Sequence, residues 1–400
     1  MIKKVVVLVS ILCLALGLFS PGLVQAQAGL TVTGSSAKAE FPLKLVFSFS
    51  AKSAANIVDV RLRYKVERDS YAQVTSEVLV AFTPSTDVSA SWTWDMRQTG
   101  GMPPGSTVEY WWTVKDARGD KVETAPVPIQ FDDDRYSWQS LTEGMVTVFW
   151  YEGKQAFAQE LMSAAQQALA RLSQDTGAQL KKPVRLYIYA STWDLQGAMI
   201  FPQEWTGGAA YAGYDTIAIG ISTSSLNWGK RVIAHELSHI VTHQMTYNPY
   251  NGLPTWLDEG LAMYAEGALE ASFASSLGRA ITTDSLISVR SLASPFSAIS
   301  GLAIQSYAES FSIVEFLISQ YGQDKMLTLL NTFQEGSGWD SALVKVYGFD
   351  MDGLEARWRT SIGVPTGVTL SLFWVLVGLD AALLLAVCLV VARWARRRGR

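Results

Sequence analysis

All three histidines of this 400-residue chain fall in one short stretch, His235-Glu-Leu-Ser-His-Ile-Val-Thr-His243. Their spacing constrains the local fold. On an α-helix, side chains at i and i+4 stand one above the other, so a helix lets His235 and His239 present ring nitrogens to a single metal ion, with Glu236 beside them. The flanks suit such a helix: Val232, Ile233, Leu237, Ile240 and Val241 supply an apolar surface for burial. Asn227 is the expected N-cap and Asn248-Pro249 the expected stop.

The first five residues spell H-E-x-x-H. The chemistry expected of that motif is zinc-assisted hydrolysis, in which the metal lowers the pKa of a bound water toward neutrality and Glu236 takes its proton. A catalytic zinc site needs a third protein ligand and one open position. Two candidates compete for it. His243 lies eight residues beyond His235, about 12 Å along a continuous helix, too far for a bond of about 2 Å to the same ion. Glu259 is the better choice. It sits in Pro254-Thr-Trp-Leu-Asp-Glu-Gly-Leu-Ala262, where Thr255 and Asp258 read as a capping box opening a second helix that ends near Gly267. A helix returning after a short loop brings a carboxylate back to the first.

H-E-x-x-H followed, after nineteen intervening residues, by the glutamate of W-L-D-E-G-L-A resembles the gluzincin metallopeptidases. These include thermolysin-like and aminopeptidase-N-like enzymes, and the chain is most similar to the broad peptidase MA-like group. The resemblance is specific over about residues 230 to 267. It implies Zn2+ as cofactor, with His235, His239 and Glu259 as ligands and Glu236 as general base.

Departures from the family pattern are informative. Thermolysin-like enzymes carry an acid four residues after the glutamate ligand to orient a histidine; here that position is Met263, leaving Asp258 or Glu266 as substitutes. No histidine remains to stabilise an oxyanion, so a tyrosine is the expected donor. Tyr307 stands roughly where aminopeptidase-N-like enzymes carry a catalytic tyrosine, though the position equally suits a packed aromatic on an amphipathic helix. Residues 207–220 suit an edge strand that pairs with an extended peptide. They lack the glutamate with which related aminopeptidases hold a substrate amino terminus, which favours an endopeptidase.

The chain ends carry targeting expectations. Lys3-Lys4, an apolar run from Val5 to Leu18, Pro21-Gly22 and Ala26-Gln-Ala28 read as a cleavable secretory signal over residues 1–28, with mature chain starting near Gln27 or Gly29. Leu370 to Val391 is largely apolar, about 33 Å as a helix, so residues 366–392 are expected to span a membrane. The arginines of 393–400 place a basic tail in the cytoplasm and the catalytic region outside, as a single-pass protein of the plasma membrane. Asp380, inside that span, marks either a helix or membrane partner or a tolerated lone acid.

Both cysteines, Cys13 and Cys388, lie in those terminal segments, so residues 29–365 form no internal disulfide and depend on their core. Of 32 basic and 36 acidic residues, removing Lys3, Lys4 and the five tail arginines from one side and Asp380 from the other leaves 25 against 35. That acidity excludes nucleic-acid binding.

The fold expected is multidomain. Val60, Leu62, Tyr64 and Val66 alternate with Arg61, Arg63 and Lys65, and Asp116 to Asp120 reads as a hairpin turn. Residues 29–134 are therefore expected to be an all-β sandwich of immunoglobulin or fibronectin type III kind. Asp132-Asp-Asp-Arg135 is expected as a solvated joint. Residues 135–365 are expected to be an α+β gluzincin-like metallopeptidase domain, with a helix from Gln155 to about Ser173, a strand Val184 to Tyr189, and helices Ser312 to Tyr321 and Asp324 to Phe333. The function expected is a zinc peptidase acting on peptide or protein substrates. The alternatives are a surface adhesion or sensing protein with a degenerate peptidase domain, and a zinc hydrolase acting on a non-peptide bond.

Overall fold

The structure, a computed structural model, describes residues 29–203 and 206–363. It opens with strands β1 (Thr31–Glu40), β2 (Lys44–Val66), β3 (Ser76–Leu79), β4 (Ser85–Asp95), β5 (Ser106–Asp116), β6 (Lys121–Glu123) and β7 (Val127–Phe131). The predicted alternation is realised in β2, where Val60 and Leu62 are buried while Arg61 and Arg63 both pair with Glu77 on β3. The turn at Asp116 closes as expected, its carboxylate accepting the backbone N–H groups of Arg118 at 2.9 Å and Asp120 at 3.1 Å.

The expectation of an immunoglobulin- or fibronectin-type sandwich is corrected here. All seven strands belong to one hydrogen-bonded sheet. The 23-residue β2 pairs with β1 and β4 through its first half and with β3 and β5 through its second. Its register shifts between Lys52 and Ile57, so the strand turns a corner instead of ending. Phe47 from the first half then meets Tyr64 from the second at 6.5 Å and Tyr110 at 5.1 Å, which folds the sheet onto its own core.

Strands β8 (Gln139–Glu143), β9 (Val146–Trp150), β10 (Val184–Tyr189), β11 (Gly208–Tyr211) and β12 (Thr216–Gly220) make a second sheet in the order β11-β12-β10-β9-β8. It is parallel through β12, β10 and β9 and antiparallel at both edges. Alternate residues serve different neighbours. Val148, Leu186, Ile188, Ile217 and Ile219 join a core with helices α1 (Gln155–Thr176) and α3 (Leu226–Thr246), α2 being the short Thr192–Gln196. Tyr187, Tyr189 and Ala218 point to the other face and join the core of the N-terminal strands.

The β region and the α+β region thus share a core, and of the residues 132–135 between them Asp132, Asp134 and Arg135 are exposed as expected while Asp133 is not. Asp133 is buried, accepting the Tyr189 hydroxyl at 2.9 Å and the Arg135 guanidinium at 2.7 Å. An acid between two apolar layers needs such partners to be buried at all.

After α3 the chain is helical: α4 (Thr255–Glu266), α5 (Ala271–Thr282), α6 (Val289–Leu292), α7 (Ser300–Tyr321), α8 (Gln323–Gln334), α9 (Trp339–Tyr347) and α10 (Met351–Ser361). The two helices expected beyond residue 312 are the end of α7 and the body of α8. Among the described residues no helix is long and apolar enough to cross a membrane, so the transmembrane helix expected of the fold is not found there. The longest helices here are built for a protein core; α7, at 22 residues, carries Gln305, Glu309, Glu315 and Gln320. The run Leu370–Val391 and the leader 1–28 lie outside the described residues.

Helices α4 and α7 cross at Gly260, where an added Cβ would stand 2.5 Å from the Ser310 carbonyl oxygen and 2.6 Å from Val314 Cγ2. Gly260→Ala gains about 1 kcal/mol of helix propensity but forces apart two packed helices, at about 1 to 3 kcal/mol. Overpacking wins because the nearest atom is backbone. A lowered denaturant midpoint is expected for this variant; an unchanged midpoint would mean that α4 and α7 are not packed so closely.

Candidate active site

Helix α3 carries the motif much as its sequence demands. Ile233, Leu237, Ile240 and Val241 are buried against the sheet and α1, which turns His235, Glu236 and His239 toward a cavity of about 680 Å³. The helix starts at Leu226 with Ser225 as N-cap, ahead of the expected Asn227, and ends at Thr246 before Asn248-Pro249.

Helix α4 returns alongside and delivers Glu259. Glu259 Oε2 lies 3.4 Å from His235 Nε2 and 3.5 Å from His239 Nε2, and one ligand atom from each of the three residues falls within 4.8 Å of the others. His243 also lines the cavity, one turn further on, but its Nε2 faces Asp69 Oδ2 at 3.8 Å instead. It stays outside the cluster, as axial distance requires.

The acids around the histidines fill the place left by Met263, which is buried. Glu266 Oε1 is 2.9 Å from His235 Nδ1. A carboxylate there favours the proton on Nδ1, so that the neutral imidazole turns the Nε2 lone pair to the cluster. Asp258 Oδ1 lies 3.1 Å from His239 Nδ1. The capping box expected of Thr255 and Asp258 does not form: Pro254 is the N-cap, and the Thr255 hydroxyl donates to the Ala293 carbonyl at 3.2 Å. Asp258 instead faces α3, where its Oδ1 accepts the Thr242 hydroxyl at 3.2 Å beside His239.

Arg231, one turn before His235 on α3, donates to Glu266 Oε2 through Nε at 3.1 Å and Nη2 at 2.8 Å. Its position four residues ahead of His235 was a signal present in the sequence. Glu266→Ala is expected to weaken zinc affinity about 10- to 100-fold, the usual worth of such an outer partner. Competition with a chelating dye measures it, and unchanged affinity would remove Glu266 from that duty.

The electrostatics favour a cation between these groups. Burial opposes charge on Glu259, yet the two imidazoles beside it hold its carboxyl down at about 2. Burial equally opposes charge on His235, and the Glu259 and Glu266 carboxylates overcome it, raising the imidazole to about 9. Glu259 Oε2 is cut off from solvent and has no hydrogen-bond partner. Two imidazole nitrogens and a carboxylate oxygen converge on one point, with that oxygen unsatisfied, a donor set that fits a zinc ion.

Glu236 lies under β11, at the edge of the sheet. A Cβ on Gly208 would come within 2.9 Å of Glu236 Oε1, so a larger residue there would push the carboxylate aside, and the Ala210 N–H faces the same carboxylate. Burial pushes the Glu236 carboxyl up from its ordinary value, against the pull of the two histidines. Tyr307 on α7 lines the cavity with its ring 6.4 Å from that of His235. Burial, aided by Glu259 and Glu236, raises its phenol, so it stays a hydrogen-bond donor at neutral pH. The structure therefore brings His235, Glu236, His239, Glu259 and Tyr307 to one cavity. Asp69, from the β region, reaches the same neighbourhood without any signal in its own sequence.

The sequence matches the Peptidase MA superfamily over residues 164–364. No curated protein matches the chain. Among solved structures, an M1 zinc metallopeptidase from Deinococcus radiodurans is similar at 12% identity, covering 82% of this chain and 93% of its own, with a TM-score of 0.34. Legionella pneumophila aminopeptidase A is similar at 8% identity over 83% of this chain and 50% of its own, TM-score 0.37. OgpA from Akkermansia muciniphila is similar at 11% identity over 26% of this chain and 27% of its own, TM-score 0.20.

Proposed function

Because this chain belongs to the Peptidase MA superfamily, we propose that it is a zinc-dependent endopeptidase that hydrolyses internal bonds of peptide or protein substrates. The observation that carries the reading is the convergence of His235 Nε2, His239 Nε2 and Glu259 Oε2 beside Glu236. His235, His239 and Glu259 would hold the zinc, which supplies Lewis-acid polarisation of water and of the scissile carbonyl when bound.

The rest of the reaction falls to side chains and backbone of this chain. Glu236, raised by burial, accepts the proton of the attacking water and returns it to the leaving nitrogen. Tyr307 donates to the oxygen that becomes negative as the carbonyl is attacked. Among the described residues strand β11 pairs with β12 on one side only, so its other edge offers backbone groups to an extended peptide. The cavity continues along α3 past the motif to Thr246 and Tyr247, room for a chain that extends beyond the bond cut.

The test is digestion of an unstructured protein and of a random peptide library. Internal cleavage, abolished by a chelator and restored by zinc, is the expected result. Cleavage confined to the first residue would replace the endopeptidase with an aminopeptidase, and hydrolysis only of non-peptide bonds would overturn the reading. We propose also that the chain acts outside the cytoplasm, on the support of its leader-like first 28 residues. Mature protein should then begin near Gln27 or Gly29, and an intact Met1 in secreting cells would contradict it.

A further inference from the structure

Residues 235, 239, 243 and 247 are spaced by four, and His235, His239, His243 and Tyr247 all line the one cavity. They form a stripe of rings along α3, with centroids 5.0 Å apart for His235 and His239 and 4.9 Å apart for His243 and Tyr247. The stripe does not stop at the end of the helix. Tyr71, on the loop between β2 and β3, stacks on Tyr247 with centroids 4.4 Å apart and ring planes 16° from parallel. The β region thereby places an aromatic ring against the Tyr247 end of the cavity.

The loop that carries Tyr71 is fastened to the α+β region through Asp69. The Asp69 N–H donates to the Gly213 carbonyl at 2.8 Å, and the Asp69 carboxylate pairs with Lys182. Tyr71 is nevertheless 53% exposed, an aromatic surface held in place without being buried. An exposed ring face held at the end of the cavity suits an apolar side chain of an extended peptide.

We propose that Tyr71 and Tyr247 form a distal subsite that takes an aromatic or large aliphatic side chain of an extended peptide, about four residues from the bond that is cut. The register follows from two rises. Eight residues of helix from His239 to Tyr247 span about 12 Å, which an extended peptide covers in about four residues at about 3.3 Å each. The identity of the ligand as a peptide rests on the peptidase reading; the subsite itself rests on the rings.

The experiment has a binding arm and a cleavage arm, both on the full-length chain. In the first, fluorescence anisotropy follows labelled decapeptides in which a single Phe is moved through an Ala-Ser background, bound to the Glu236→Gln chain so that turnover plays no role. The best-placed Phe should tighten binding roughly tenfold over the Phe-free parent. Adding Tyr71→Ala should erase that discrimination, while Tyr71→Phe, which keeps the ring, should preserve it. Equal affinities across the set, or discrimination that survives Tyr71→Ala, overturns the subsite. In the second arm, the unmutated chain cuts a random library, and large apolar residues should be enriched about four positions from the cut on one side only. Cleavage without that enrichment overturns the subsite. Retained discrimination in binding with no cleavage of any peptide overturns the peptidase reading and leaves the subsite standing.

Discussion

Replacing Glu236 by Gln is expected to leave the fold and the metal content intact while lowering kcat/KM by about 10² to 10⁴-fold, the usual worth of a general base. Glutamine keeps the shape that fits beneath Gly208, where a bulkier or reoriented group would collide with β11. It removes only the ability to accept a proton. The loss should fall on kcat rather than on KM, because the amide oxygen of glutamine still accepts the Ala210 N–H and leaves β11 as it was. Near-full activity in Glu236→Gln would sink the assignment, and lost activity together with lost metal would move Glu236 from base to ligand.

A second large effect is expected from Glu259→Ala. The variant removes the one oxygen that faces both His235 Nε2 and His239 Nε2. Two imidazoles on one helix then remain, short of the three protein ligands a catalytic zinc site uses. Zinc per chain after dialysis should fall from about one to near none. The fold should survive, since α4 is anchored by the buried Trp256, Leu257 and Leu261 and not by its carboxylate. Zinc retained at the original level would take Glu259 out of the ligand set and reopen the place of Asp258, the other acid of α4 beside these histidines.

The ligand cluster was legible because its geometry is local. Helical periodicity alone puts His235 and His239 on one face, and the spacing to Glu259 leaves room for one loop between two helices. The outer acids were half legible: Asp258 and Glu266 could be named as candidates, but which histidine each would hold depends on how α4 crosses α3. Asp258 was misread as half of a capping box because a cap and a histidine partner ask for the same residue type at the same helix start.

The long-range features left no local trace. The 23 residues of β2 alternate whether they lie in one layer or turn between two, so a sandwich and a single folded sheet read alike. The burial of Asp133 within an otherwise exposed run was not legible because its partner Tyr189 is 56 residues away. Tyr71 belongs to a loop far from α3 in sequence, and only the shared core of Tyr187, Tyr189 and Ala218 with the N-terminal strands brings it to Tyr247.

The measurement that bears most directly on the central claim is elemental analysis of the purified, dialysed protein, because it requires no guess about substrate. About one zinc per chain, lost in Glu259→Ala and kept in Glu236→Gln, is the predicted result. A folded, zinc-supplemented chain that binds none would contradict the account and favour a non-catalytic binding protein built on the same fold.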